Sequence, residues 1–375
     1  MAHESPKRIR NVALVGHRGS GKTSVNEALL FTAGAINRLG SVADGTTVSD
    51  SASDEKAREM SISGSFSSFR WEDRKINLVD TPGDPSFVAD ALAALRVCEG
   101  AVFVVNGVMG VEVTTSRLWE RAEELGLARI VFVNMLDRER ADFFATLEQL
   151  QGQLSGRCIA VQIPIGHEHE LTGVVDLLHV RAWLSPEGER ETKPAEIPSD
   201  IAAQAEEYRV KLVEAVVETD EAIMERYLAD EEIPGDELAS ALKNAVVAGE
   251  LFPVACGVAT KNLGTTGLLD LLVEGVPSPA KKPLDAGVDG DDISAFVFKT
   301  VADPFAGRIN VFRVLAGTIN SDSTLVNHRT RGKERVGQLL TLQGKEHEQA
   351  QEFTAGDIGA ASKLKETVTG DLLLA

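Results

Sequence analysis

Five strand-like runs stand out in the first two thirds of the chain: Asn11–Val15, Ile76–Val79, Ala101–Val105, Ile130–Val133 and Pro253–Cys256. Each runs straight into a loop that bears Gly, Asp or Asn, and helical stretches separate them. That alternation predicts a parallel α/β sheet. Ligands of open α/β sheets bind at the carboxyl ends of the strands, so these loops are expected to meet in one crevice.

Between the fourth and fifth runs lies a long insertion, residues 158–251. It carries a hairpin signal around Ile165–Val174 and an acidic helical stretch, Ile201–Leu228. Within that stretch Leu212, Val216, Ile223 and Leu228 recur at roughly helical spacing, which predicts core packing. Pro277, Pro279 and Pro283, followed by Gly and Asp residues as far as Asp292, predict an interdomain linker. Beyond it come short alternating strands with Gly turns, Ile293–Lys299, Arg308–Leu315, Thr324–Val326 and Glu334–Leu342. That is the pattern of an antiparallel β-barrel. The expected division is a first domain of 1–157 with 252–282, an α/β insertion of 158–251, and a barrel of 290–375.

Composition narrows the class. The chain is 43% hydrophobic and 25% charged, as in an ordinary soluble globular protein. No apolar run reaches membrane-spanning length. The polar, basic stretch Met1–Arg10 is not followed by a signal-type apolar region, so a cytoplasmic location without a membrane partner is expected. Cys98, Cys158 and Cys256 form no CxxC pair and suit the reduced thiols of a cytosol. A net charge of −19 argues against a protein whose main task is wrapping free nucleic acid. Residues 181–250 hold 7 Lys/Arg against 18 Asp/Glu, whereas residues 291–375 hold 10 against 11. This asymmetry points to modules with different partners, or to an acidic surface that only aids solubility.

The chemistry lies in the loops. Gly16-His17-Arg18-Gly19-Ser20-Gly21-Lys22-Thr23 fits G-x-x-x-x-G-K-[ST] between a strand and a helix. Its glycines let backbone N–H groups curl around a phosphate, and the helix N-terminus adds positive potential. Lys22 is expected to bridge the β- and γ-phosphates, and the Thr23 hydroxyl to hold Mg²⁺. The loop residues His17 to Ser24 are the expected phosphate contacts: His17, Arg18, Gly19, Ser20, Gly21, Lys22, Thr23 and Ser24. Asp80-Thr81-Pro82-Gly83 ends the second run as the Asp-x-x-Gly element of GTPases does; Asp80 would hold Mg²⁺ through water and the Gly83 N–H would sense the γ-phosphate. Asn134-Met135-Leu136-Asp137 reads as a guanine loop. The Asp137 carboxylate can accept from both N1–H and the 2-amino group of guanine, a donor pair that adenine lacks. Val258-Ala259 follows the fifth run, and the Ala259 N–H would meet guanine O6.

These elements, in this order and spacing, resemble the G domain of elongation factor G, and the insertion resembles that family's G′ subdomain. Phe296-Val297-Phe298-Lys299, Asp303-Pro304-Phe305, Gly307-Arg308, Arg313-Val314, Gly317-Thr318, Arg331 to Val336 and Ala355-Gly356-Asp357-Ile358 resemble its β-barrel, domain II. The resemblance implies a P-loop GTPase that binds GTP/GDP and Mg²⁺, acts on ribosomes and works as a monomer. It implies contact with the ribosomal stalk protein through the acidic insertion and with small-subunit RNA through domain II. The family has three further domains, so the chain is expected to be a fragment.

Departures from the family are as informative. The family's R-G-I-T-I is Arg58-Glu59-Met60-Ser61-Ile62, in which Ser61 keeps a hydroxyl for Mg²⁺ while Glu59 adds bulk and charge. The Lys of N-K-x-D is Met135, and the Ser before Ala259 is Val258. D-T-P-G-H is Asp80 to Asp84, with Asp84 in place of the His that positions the attacking water. A carboxylate beside a γ-phosphate is repelled by like charge. Catalysis is therefore expected to rest on Asp84, Gly83 and Lys22 and to be slow. The rival expectation is a GTP-dependent regulatory switch with little hydrolysis and no translocation role; a P-loop kinase or ATPase is disfavoured by Asp137. His167 and His169 read as a solvated turn, and His17 as structural. Arg329, Arg331, Lys333 and Arg335 alternate and would share one face, either for RNA or as a solvated edge.

Overall fold

The computed structural model describes residues 4–184, 194–231, 233–284, 292–303 and 307–375. Met1 to His3 of the N-terminal stretch, residues 285–291 of the linker and Pro304-Phe305 of the Asp-Pro-Phe motif lie outside the described residues.

All five expected strands form, each slightly longer than its apolar run. They are β1 (Ile9–Val15), β3 (Arg74–Asp80), β4 (Gly100–Asn106), β5 (Ala128–Asn134) and β11 (Phe252–Cys256). Two more complete a seven-stranded sheet: β2 (Ser65–Trp71), an antiparallel edge on β3, and β6 (Cys158–Ala160), parallel to β11. The order is β2-β3-β1-β4-β5-β11-β6. Residues of β1, β4, β5 and β11 are buried throughout, as strands covered by helices on both faces must be. Helices α1 (Lys22–Thr32) and α9 (Thr265–Gly275) pack together on the sheet, as do α3 (Val88–Val97) and α4 (Val113–Glu124). Short α2 (Ser53–Arg58) precedes β2, and α5 (Phe143–Gln153) precedes β6.

Cys158, expected to open the insertion, thus lies in the main sheet. The insertion's own sheet is β7 (Gln162–Ile165), β8 (Gly173–Asp176), β9 (Arg181–Leu184) and β10 (Pro194–Ala195), all antiparallel. The stretch Ile201–Leu228 is two helices, α6 (Ala202–Val217) and α7 (Glu221–Leu228), followed by α8 (Gly235–Ala248). The Thr219 hydroxyl donates back to the Val216 carbonyl at 2.7 Å. The Asp220 carboxylate caps α7 by accepting from the Ala222 and Ile223 N–H groups at 3.0 and 3.2 Å. That break resets the helical phase. Leu212, Val216 and Ile223 are buried, but Leu228 is 76% exposed and is not core.

The last domain is an antiparallel half-barrel. Its strands are β12 (Ser294–Asp303), β13 (Gly307–Ala316), β14 (Thr318–Asn320), β15 (Thr324–Asn327), β16 (Lys333–Arg335), β17 (Gln338–Gln343), β18 (Glu346–Ala350), β19 (Glu352–Thr354), β20 (Ile358–Ser362) and β21 (Leu372–Leu374). Eight of them form one sheet ending in β16 and β18, and β14 pairs with β19. The run Glu334–Leu342 divides between β16 and β17, because the buried Val336 turns its N–H to the Ser323 carbonyl.

The half-barrel joins the first domain through a buried polar network at the amino ends of β1, β3 and β4. Arg313, 1% exposed, pairs with the Glu99 carboxylate. Asn11 donates to Glu99 at 2.8 Å and to the Gly356 carbonyl at 2.9 Å. Asn77 donates to Asn11 and to Asp357, which also pairs with Lys75 at 2.7 Å. A second junction lies near the carboxyl end of β3. There Lys299 of β12 pairs with Asp90 of α3 at 2.6 Å, and Asp90 also accepts the Gly64 N–H.

Candidate nucleotide-binding site

The β1–α1 loop closes tightly because its glycines adopt backbone that other residues resist. Gly19 and Gly21 have φ of +79° and +88°. A Cβ at Gly83 would lie 2.7 Å from the Arg18 nitrogen and would overlap the Lys22 ammonium. The loop opens on a cavity of about 620 Å³ lined by Gly19, Lys22, Thr23, Asp50, Ser61 and Met135, among others. The expected convergence of loops on one crevice is therefore what the fold produces.

Lys22 is buried and donates to the His17 carbonyl at 2.9 Å. Burial lowers its pKa to about 8, against the opposing pull of Asp80, Asp50 and Glu112. Thr23 donates to Asp80 Oδ2 at 3.0 Å and lies 3.1 Å from the Ser61 hydroxyl. Asp80 is pushed up to about 7, first by burial and then by Asp50. Its Oδ1 is buried and accepts no hydrogen bond among the described residues. Two hydroxyls, an orphaned carboxylate oxygen and a second raised carboxylate, Asp50, form the oxygen donor set a hard divalent cation prefers. Mg²⁺ fits these residues. Sequence alone does not single out Asp50, which is one acid in a polar Ser/Thr-rich stretch.

Asn134 braces the site. Its Nδ2 donates to the Ser20 carbonyl at 3.0 Å, and its Oδ1 accepts the Ala259 N–H at 3.0 Å. The Ala259 N–H, expected to face a base carbonyl, is thus engaged by Asn134, while Val258 is buried. Met135 takes a left-handed backbone, φ +64°, and its sulfur accepts from Asn106 at 3.4 Å. Asp137 pairs with Lys261 at 3.2 Å, a contact between the fourth and fifth loops that spacing alone does not reveal.

His17 turns to the start of α4, with Nδ1 3.0 Å from the Thr114 hydroxyl and Nε2 3.3 Å from Glu112. Arg18 approaches Asp84 at 3.6 Å. Asp84 accepts the Ser86 N–H at 2.9 Å, and that bond, with help from Arg18, holds its carboxyl below the usual range. Asp84 is therefore an anion at neutral pH.

Glu59 ends α2 with φ +48°, a conformation that suits glycine. The left-handed backbone costs a non-glycine residue about 1–2 kcal/mol, and added glycine entropy in the unfolded chain returns about 0.4–1 kcal/mol of that. Glu59→Gly is expected to stabilise the protein by ~0.5 kcal/mol, read from chemical denaturation midpoints.

Residues 7–278 match the family described as the elongation factor Tu GTP binding domain, and residues 292–375 match elongation factor G domain 2. A crystal structure of a protein from Thermus thermophilus matches with a TM-score of 0.89 at 34% sequence identity, over 98% of this chain and 54% of that one. The chain spans about half the length of that solved relative.

Proposed function

The chain belongs to the elongation factor G-like translational GTPases and binds guanine nucleotide, and from that premise we propose that it acts on the ribosome as a Mg²⁺-dependent GTPase whose hydrolytic step is slow. The observation that carries this reading is the state of Asp84. An ionised carboxylate tied to Ser86 and Arg18 stands where the family places a histidine. It cannot donate a hydrogen bond to water and it opposes charge building on the phosphate.

The geometry supports the other roles. Lys22 would exchange its bond to the His17 carbonyl for the β- and γ-phosphate oxygens. Thr23, Ser61, Asp80 and Asp50 would hold Mg²⁺, which neutralises phosphate charge when bound. Asp137, steadied by Lys261, would read the guanine edge. Asp137→Asn puts an NH₂ against two guanine donors, and losing a charge-assisted bond of roughly 1.5–3 kcal/mol predicts about a tenfold or greater loss of GDP affinity. Equal affinity in a titration would dismiss the base-site assignment.

The partner surfaces differ in what supports them. Glu206, Glu207 and Glu214 are exposed on α6, which suits the stalk-protein reading. Changing all three to Lys should slow association with ribosomes several-fold at low salt, and raising salt should shrink the difference, because exposed charges are screened over roughly 8–10 Å. In the half-barrel, Arg329 is held by Asp371 at 2.6 Å and Arg335 by Asp322 at 2.9 Å. An RNA contact would therefore fall mainly on Arg331 and Lys333.

The deciding experiment is single-turnover phosphate release with ribosomes, beside an ordinary elongation factor G. Weak stimulation is expected. Stimulation equal to that factor would refute the slow-hydrolysis reading, and no stimulation at all, with GTP still bound, would favour the regulatory switch.

A further inference from the structure

Glu27 lies on α1 one turn beyond Thr23, is 1% exposed, and has no part in the nucleotide contacts described above. Its Oε1 accepts the Val48 N–H at 2.6 Å, and the Gly40 and Ser49 N–H groups face the same carboxylate. The neighbouring Asn26 donates to the Ser49 hydroxyl at 2.6 Å. The loop that leaves at Gly40 and returns at Val48–Ser49 thus stands with both feet on one side chain. Between those feet Ala43, Asp44 and Thr46 are exposed, and Leu39, Gly40, Ser41, Val42 and Ala43 form a wall of the nucleotide cavity.

The fit at the first foot leaves no slack. A Cβ on Gly40 would come within 2.9 Å of the Thr46 carbonyl oxygen and would overlap Glu27 Oε2. That Oε2 is itself buried and has no hydrogen bond of full geometry among the described residues. A carboxylate held this way is expensive, and burial pushes its pKa up to about 6. An apolar side chain of like size would fill the space without that expense. The return must come from the loop that the carboxylate holds.

We propose that Glu27 is a positioning residue for nucleotide binding, latching both feet of the 40–49 loop and so holding the wall formed by residues 39–43 against the bound nucleotide. This rests on the guanine-nucleotide reading of the cavity. The latch acts on escape more than on entry, because the loop must lift for a seated nucleotide to leave.

The test is stopped-flow binding of N-methylanthraniloyl-GDP. Glu27→Gln keeps the shape but sets an NH₂ against backbone N–H groups, and losing a charge-assisted bond predicts dissociation about tenfold faster with association nearly unchanged. A cysteine introduced at Ala43 should react faster with a thiol reagent in the same variant. Gly40→Ala should speed dissociation when Glu27 is present and add less when it accompanies Glu27→Ala, the remainder coming from the Thr46 carbonyl. If Glu27→Gln does not fold, comparing Gly40→Ala with Glu27→Ala and with the pair reads the same contact. Unchanged dissociation, or effects of the two sites that simply add, would overturn the latch. Failure of the unaltered protein to bind the labelled GDP would instead overturn the nucleotide reading beneath it.

Discussion

Replacing Asp84 with His is expected to raise ribosome-stimulated phosphate release by roughly 10²-fold, the lower part of the range a positioned proton-transfer group supplies. The substitution does three things at once. It removes an anion beside the γ-phosphate, supplies an N–H that can orient water, and frees Arg18 from its 3.6 Å contact. It also removes the carboxylate that caps the Pro85–Phe87 turn through Ser86, so part of the gain is lost to a looser switch. Single-turnover release with ribosomes present checks the expectation. A variant no faster than its parent, while binding GTP equally well, would mean that Asp84 does not limit the reaction.

Lys22→Met is expected to weaken GTP binding by roughly 10²–10⁴-fold, since charge-assisted bonds of roughly 1.5–3 kcal/mol each are lost at two phosphates. The loss also removes a cation that lowers Asp80 and Asp50, so both carboxyls move further up and Asp80, already near 7, takes up a proton at neutral pH. A pH signature accompanies it. In the free protein Lys22 sheds its proton near pH 8, whereas phosphate oxygens require it charged. Nucleotide affinity should therefore fall above pH 8, with a proton taken up on binding. For the free protein the sign reverses. Between about 8 and 10.5 the unfolded chain binds more protons at this lysine, so its contribution to stability rises with pH. Calorimetry in buffers of different ionisation enthalpy measures the uptake, and affinity independent of pH up to about 9.5 would remove Lys22 from the phosphates.

What the chain reveals in advance divides along physical lines. The five strands and their loops are legible because a buried parallel strand ending in Gly, Asp or Asn leaves a local mark, and the phosphate loop is a local object. Contacts between distant loops leave no such mark. Asp50 joining Asp80, Lys261 meeting Asp137, and Asn134 bridging Ser20 to Ala259 exist only once the sheet brings the loops together. Glu27 reads in sequence as one polar residue of an amphipathic helix, and its role depends on a loop that returns more than twenty residues later. Some signals are present and outweighed. Asp220 is a good helix cap, yet the apolar spacing around it suggests one continuous helix, which puts Leu228 in the core. The alternating cations near β16 are visible, but not that Asp371 and Asp322 already hold two of them.

The half-barrel and the first domain share one apolar core as well as two polar junctions, for Phe298, Ile309, Val311, Leu340, Ile358 and Ala360 cluster with the first domain and the Phe298 ring meets Phe66 edge-on at 5.7 Å. At the amino ends of β1, β3 and β4, Arg313, Glu99, Asn11, Asn77 and Asp357 interlock away from water, and breaking one partner of such a buried pair costs about 3–5 kcal/mol. At the other end Lys299 pairs with Asp90, and the Gly344 N–H donates to the carbonyl of the buried Phe66. Because that core is continuous, the half-barrel and the first domain are expected to unfold in one cooperative transition.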